Sequence, residues 1–71
     1  MRNEILYIKV GKQIQKLRIE RDISQQDLAA KCDFEKSNMS RLEAGKVNCT
    51  LSTLNKVAIA LEVEVEELFK F

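Results

Sequence analysis

The side chains best suited to bind a polar partner lie close together in the segment FEKSNMSR, residues 34–41. The donors expected to point outward are Lys36, Ser37, Asn38 and Arg41. Met39 interrupts this set, and Leu42 follows three residues later, which is the spacing of one apolar edge of a helix. The pattern predicts a short helix that buries this narrow edge and turns charged and polar donors outward.

Catalytic and metal chemistry find little support in the same sequence. The chain has no histidine, and its two cysteines, Cys32 and Cys49, are too few for a closed zinc site or a disulfide framework. It also lacks a glycine-rich phosphate loop and a plausible nucleophile–base pair. We therefore expect two reduced thiols, no metal, no cofactor and no enzymatic activity.

Length and composition predict a single domain over residues 1–71. Hydrophobic residues make up 45% of the chain and charged residues 32%, which is typical of a globular protein. Proline is absent and glycine occurs twice, so an all-helical fold is favoured over a strand-rich one. No apolar run approaches the ~18 residues of a membrane span, and the N-terminus lacks a signal-peptide pattern. These features predict a soluble, cytoplasmic protein that does not enter a membrane.

Charge is distributed unevenly along the chain, although the formal net charge is only +1. Residues 1–46 contain ten Lys and Arg against seven Asp and Glu, whereas residues 47–71 contain two against four. A basic N-terminal part and an acidic C-terminal part suggest different partners for the two ends.

Apolar spacing predicts five helices in a compact bundle. The first ends near Arg21, and its beginning, within residues 1–8, is open between helix and extended arm. Ser24 and Thr50 are expected to cap the second and fourth helices, and Gly45 to stop the third, which runs from about Lys36 to Ala44. A short fifth helix is expected at about 65–69. The expected inner stripe of the fourth helix consists of Leu51, Leu54, Val57, Ala58 and Leu61.

The second and third helices, at about residues 25–44, have the features of a helix-turn-helix. Ala29 is small enough for close packing beneath the third helix, and Asp33 tolerates the left-handed conformation that such a turn needs. Met39 and Leu42 anchor the third helix by one edge, which leaves its other faces polar.

Almost the whole chain, roughly residues 8–69, resembles the phage-repressor-type (XRE, Cro–repressor-like) helix-turn-helix transcription regulators. The resemblance rests on SQQDLAAKC, on MSRLEAGK and on LSTLNKVAIALEVEVEELF, which match in order and in spacing. It implies that the N-terminal half of the third helix enters the major groove of double-stranded DNA.

The resemblance also implies a role for individual residues. The expected base-reading residues are Glu35, Lys36, Ser37 and Arg41, because lysine and arginine suit guanine, serine suits either base type and glutamate suits cytosine. The expected DNA-backbone contacts are Gln25, Asn38, Lys46 and Asn48. The expected structural residues are Ala29, Asp33, Met39, Leu42 and the pair Arg18 and Glu43, which ties the first helix to the third.

These features predict a small, homodimeric transcriptional regulator that binds a two-fold symmetric operator. Large apolar residues crowd the C-terminal end, so the two-fold interface is expected at Leu68, Phe69 and Phe71, with Leu68 and Phe69 also packing on the domain. The alternative is a protein-binding module or antitoxin, in which the acidic C-terminal end masks a protein partner. The basic, polar helix at 36–41 favours DNA, because a pure protein-binding module does not need it.

Overall fold

A computed structural model describes residues 3–71, and every regular element in that range is helical. The elements are α1 (Asn3–Glu20), α2 (Gln25–Lys31), α3 (Lys36–Glu43), α4 (Leu51–Leu61) and a 3-10 helix (Val65–Phe69). The prediction of an all-helical fold is confirmed. The predicted count of five helices is not, because four α-helices are present and the fifth element is a 3-10 helix.

The last element differs from the expected helix for a local reason. It contains five residues, and Glu64, which precedes it, makes no side-chain capping bond. A segment this short gains few α-helical hydrogen bonds, and 3-10 geometry is common in such pieces. At the other end of the chain, the sequence left open whether residues 1–8 form helix or an extended arm. Residues 3–8 form the first turns of α1 and are therefore helical, while residues 1–2 lie outside the described residues.

Side-chain caps and left-handed residues define the helix ends. Ser24 Oγ accepts a hydrogen bond from the Asp27 backbone N–H at 3.0 Å, and Thr50 Oγ1 accepts one from the Thr53 N–H at 3.1 Å. These contacts begin α2 and α4 by satisfying donors that a helix start leaves unpaired. Gly45, with a φ of 73°, follows the end of α3, where left-handed geometry suits glycine.

The core lies where the four α-helices and the 3-10 helix meet. Its fully buried large side chains are Ile14, Leu28, Met39, Val57, Leu61 and Leu68. The expected inner stripe of α4 is buried except for Leu51, which is 77% exposed. Leu51 is the first residue of α4, one turn before the helix reaches the core, so its assignment to the inner face was wrong.

Gly11 lies in the middle of α1 at a very close crossing with the end of α3. A Cβ at this position would come within 2.5 Å of the Glu43 carbonyl oxygen and 2.6 Å of the Leu42 carbonyl oxygen. Both contacts are with backbone, which cannot swing aside as a side chain can. A glycine that weakens an isolated helix by roughly 1 kcal/mol relative to alanine therefore permits the packing that holds α3 in place.

Candidate nucleic-acid interface

The exposed side of α3 presents most of the residues expected to read bases. Met39 and Leu42 are buried, while Lys36, Ser37 and Arg41 are exposed on the same helix. Glu35 is also exposed and immediately precedes α3, with extended backbone at a φ of −72°. We call these four exposed residues, 35, 36, 37 and 41, the reading face. It offers two cations, a hydroxyl and a carboxylate, the groups that can distinguish base edges in a major groove.

A tight turn sets the position of α3 over α2. The Phe34 backbone N–H donates to the Ala29 carbonyl at 2.8 Å, and the intervening Asp33 has a φ of 61°. Ala29 is buried on α2, and α2 packs against α3. A larger side chain there would push the two helices apart, so the small residue and the left-handed turn together fix the angle of the motif.

A buried ion pair joins α1 to the C-terminal end of α3. Arg18 Nε donates to Glu43 Oε2 at 2.7 Å, and Arg18 Nη2 donates to Glu43 Oε1 at 3.0 Å. Arg18 Nη1 also donates to the Ile23 carbonyl at 2.9 Å, in the loop before α2. Two parallel bonds between a guanidinium and a carboxylate are geometrically specific, so this pair orients α1, the loop and α3 with respect to one another.

The residues expected to contact the DNA backbone occupy two places beside the reading face. Gln25 is the first residue of α2, and its Nε2 donates to Glu43 Oε1 at 2.9 Å. Asn38 and Asn48 line one shallow cavity of about 200 Å³ between α3 and the loop that leads to α4. Lys46 is exposed in that loop. The Arg41 guanidinium donates to the Asn38 side-chain oxygen. Asn38, which is expected to contact the DNA backbone, therefore holds Arg41, which is expected to contact a base.

The two thiols are poorly suited to reactive chemistry. Burial raises the pKa of Cys32, an effect that the nearby charge of Lys56 offsets only in part. Burial likewise raises the pKa of Cys49, against a smaller lowering by a backbone hydrogen bond. Since the thiolate is the nucleophile and the metal ligand, burial works against reactive chemistry at both cysteines.

The structure corrects the expected dimer surface in one respect. Leu68 is 0% exposed and packs inside its own chain, where the 3-10 helix contacts α1 and α4, so it cannot supply surface to a two-fold interface. Phe69 is 38% exposed and Phe71 53% exposed, and Lys9 Nζ lies 5.5 Å from the centre of the Phe71 ring.

Three features escaped the sequence reasoning. Ile59 is 67% exposed, and its position outside the inner stripe of α4 was the available signal. The close crossing at Gly11 and the bond from Gln25 to Glu43 left no local signal, because each depends on how distant helices meet.

None of the helices in the described part of the chain is long and apolar enough to cross a membrane.

Comparison with known proteins gives one consistent answer. Residues 13–71 match the model of the Cro/C1-type helix-turn-helix DNA-binding domain. The chain is 38% identical over 63 residues to the control protein C.MunI of a Mycoplasma species, a match that covers 87% of this chain and 85% of that protein.

Solved structures agree with the family match. The restriction-modification controller protein C.AhdI of Aeromonas hydrophila superposes with a TM-score of 0.86 and 33% identity, over 89% of this chain and 96% of that one. SinR, the master regulator for biofilm formation solved in complex with DNA, superposes with a TM-score of 0.79 and 32% identity, over 86% of this chain and 98% of that one. The chain therefore belongs to the Cro/C1-type helix-turn-helix family of DNA-binding transcription regulators.

Proposed function

We propose that the protein is a homodimeric controller that binds a two-fold symmetric operator sequence-specifically through the reading face of α3. The observation that carries this proposal is the division of α3 into a buried edge, Met39 and Leu42, and an exposed polar side with Lys36, Ser37 and Arg41. A helix that only supported the fold would not need two cations and a hydroxyl on its free side.

The roles of two relatives suggest which genes this protein controls. C.MunI is a control protein and C.AhdI a restriction-modification controller protein. We infer that this chain likewise controls a small restriction–modification operon, and that its own concentration sets the degree of control. A dimer is part of the proposal because one copy of α3 reads few bases, whereas two copies read half-sites about 34–36 Å apart or a multiple of that distance.

The reading face and the residues beside it divide the work of binding. Lys36 and Arg41 suit guanine O6 and N7, and each such contact contributes about 1–3 kcal/mol of discrimination. Gln25, Asn38, Lys46 and Asn48 flank the reading face and suit phosphate oxygens, which set the register without carrying sequence information.

Selection of bound sites from random duplex DNA by the purified protein tests the proposal. We expect enrichment of one palindromic motif whose half-sites are separated by a helical repeat. Failure to enrich any palindrome at modest salt would contradict operator reading, and would favour the protein-binding alternative with the exposed C-terminal phenylalanines as its surface.

A further inference from the structure

Three helices, α1, α2 and α3, meet at a single buried carboxylate. Glu43, the last residue of α3, is 6% exposed. Its Oε2 accepts from Arg18 Nε, while its Oε1 accepts from both Arg18 Nη2 and Gln25 Nε2, at 3.0 and 2.9 Å. The same oxygen therefore takes part in the ion pair with α1 and in a hydrogen bond to the first side chain of α2.

This arrangement determines which way the Gln25 amide faces. An ionised carboxylate only accepts hydrogen bonds, so it attracts the amide nitrogen and repels the amide oxygen. The NH2 group is planar and carries two hydrogens, and one of them is directed at Glu43. The direction of the second hydrogen is then fixed as well, and Gln25 is a partly exposed residue at the start of α2.

The charge of Glu43 does not spoil an anion contact at Gln25. An unpaired carboxylate so close to a phosphate would repel the phosphate. The Arg18 guanidinium makes two hydrogen bonds to the Glu43 carboxylate and compensates the charge of that carboxylate. Arg18 also donates to the Ile23 carbonyl, which fixes the backbone that leads into α2. The ion pair thus sets both the start of α2 and the orientation of the side chain at its first position.

We propose that Glu43 is a positioning residue for DNA-backbone binding, which aims the second Gln25 N–H at a phosphate oxygen. This inference rests on the phosphate role proposed above for Gln25. It adds that the strength of the Gln25 contact depends on Glu43, a residue that does not itself touch DNA. The ligand recognised is a phosphodiester, so a duplex of any sequence serves as the probe.

A double-mutant cycle on a mixed-sequence 20-base-pair duplex at low salt tests the coupling. The proteins compared are the wild type, Gln25→Ala, Glu43→Gln and the double variant, with Gln26→Ala as a matched control on the exposed neighbour. We expect Gln25→Ala to weaken binding roughly five-fold, the equivalent of one hydrogen bond. The negative charge that Glu43→Gln removes is lost in both backgrounds, so its effect on binding cancels in the cycle.

The coupling decides the outcome. Glu43→Gln should weaken binding in the presence of Gln25 by a factor roughly three to five times larger than in the Gln25→Ala background. An identical factor in both backgrounds would mean that Glu43 acts only by holding the fold, and would overturn the proposal. Wild-type affinity of the Gln25→Ala variant would also overturn it. That result would leave the proposed function intact, because the reading face of α3 could still select an operator. Coupling on the mixed duplex without any selected operator would instead contradict the proposed function alone.

A measurement on the wild-type protein covers the case in which Glu43→Gln does not fold. The two side-chain amide protons of Gln25 give separate NMR signals. When the duplex is added, the chemical shift of the proton that is not hydrogen-bonded to Glu43 should change. The chemical shift of the proton that is hydrogen-bonded to Glu43 should stay the same. A shift of neither proton, or of the Glu43-bound proton alone, would overturn the proposal.

Discussion

Lys36 and Arg41 are the two cations on the exposed side of α3, and they differ in how firmly they are held. The Arg41 guanidinium is hydrogen-bonded to Asn38, whereas Lys36 lies in the first turn of the helix, where no acidic residue follows it. A tethered guanidinium loses less conformational freedom on binding than a free side chain does. The stronger discrimination is therefore expected at the base that Arg41 contacts.

Replacement of either residue by alanine should reduce operator affinity by about 1–3 kcal/mol and relax discrimination at one base position in each half-site. Site selection and titration of both variants measure these effects. Lys31→Ala is the matched control, since Lys31 is exposed near the end of α2 and outside the reading face. If both variants kept the wild-type motif and affinity while the control did the same, the assignment of the reading face would be wrong.

At the scale of the elements, the position of α3 depends on its packing against α2, where Ala29 is buried, and on its close approach to α1 at Gly11. Neither position tolerates added volume, because interiors are close-packed and the surrounding backbone is held by the turn and by the ion pair. At these two positions the helix proposed to bind DNA is thus oriented by residues that bear no functional group.

Ala29→Leu should destabilise the domain by about 1–3 kcal/mol, because overpacking forces the two helices of the motif apart. Thermal unfolding followed by circular dichroism measures this loss, which corresponds to a fall in midpoint of about 4–8 °C per kcal/mol for a domain of this size. Ala30→Leu, at the exposed neighbouring position, is the control and should change little. Equal midpoints for the two variants would show that α2 and α3 do not meet at Ala29.

Gly11→Ala gives a prediction that opposes helix propensity. Alanine favours an isolated helix by roughly 1 kcal/mol, but its Cβ would lie 2.5 Å from the Glu43 carbonyl oxygen. We expect the clash to prevail and to lower stability by about 1–3 kcal/mol net. Gln15→Ala, on the exposed side of α1, should shift stability by less than about 0.5 kcal/mol. A stabilised Gly11→Ala protein would mean that α1 and α3 are further apart than the structure has them.

The elements also show what local sequence can and cannot reveal. The caps Ser24 and Thr50, the turn at Asp33 and the stop at Gly45 were predictable, because each is a short-range backbone requirement with a preferred residue type. The exposure of Leu51 was not, because it depends on where α4 reaches the core. The 3-10 geometry of residues 65–69 has a local cause, the short length and uncapped start of the element, which apolar spacing does not reveal. The Arg18–Glu43 pair was expected only through the family resemblance, since 25 residues separate its members.

At the scale of the whole molecule, two of the exposed apolar sites are candidates for the proposed two-fold contact. One contains Phe69 and Phe71 at the C-terminal end, and the other contains Ile59 on α4. In a two-fold contact each patch meets its own copy, so the charges around it must tolerate self-pairing. Lys31 and Lys56 line the surface around Ile59 together with Asp33, whereas Phe69 and Phe71 are flanked by Lys70, Glu66 and Glu67. Both sets are of mixed sign, but Lys9 also lies at the Phe71 ring, so the C-terminal end has two charges of each sign while the surface around Ile59 has an excess of one positive charge; the balanced set favours the C-terminal end as the interface.

Deletion of residues 68–71 would not test this choice, because it removes the buried Leu68 and destabilises the domain itself. Substitution of the exposed side chains does test it. The double variant Phe69→Ser, Phe71→Ser should sediment as a monomer at micromolar concentration, because it removes the two apolar side chains of the patch and leaves the core intact. Ile59→Ser is the matched control and should remain dimeric. The monomeric variant should lose far more affinity for the selected operator than for a mixed duplex, since only the operator rewards two reading faces held at a fixed spacing. A monomer from Ile59→Ser, with a dimer from the phenylalanine variant, would move the interface to α4.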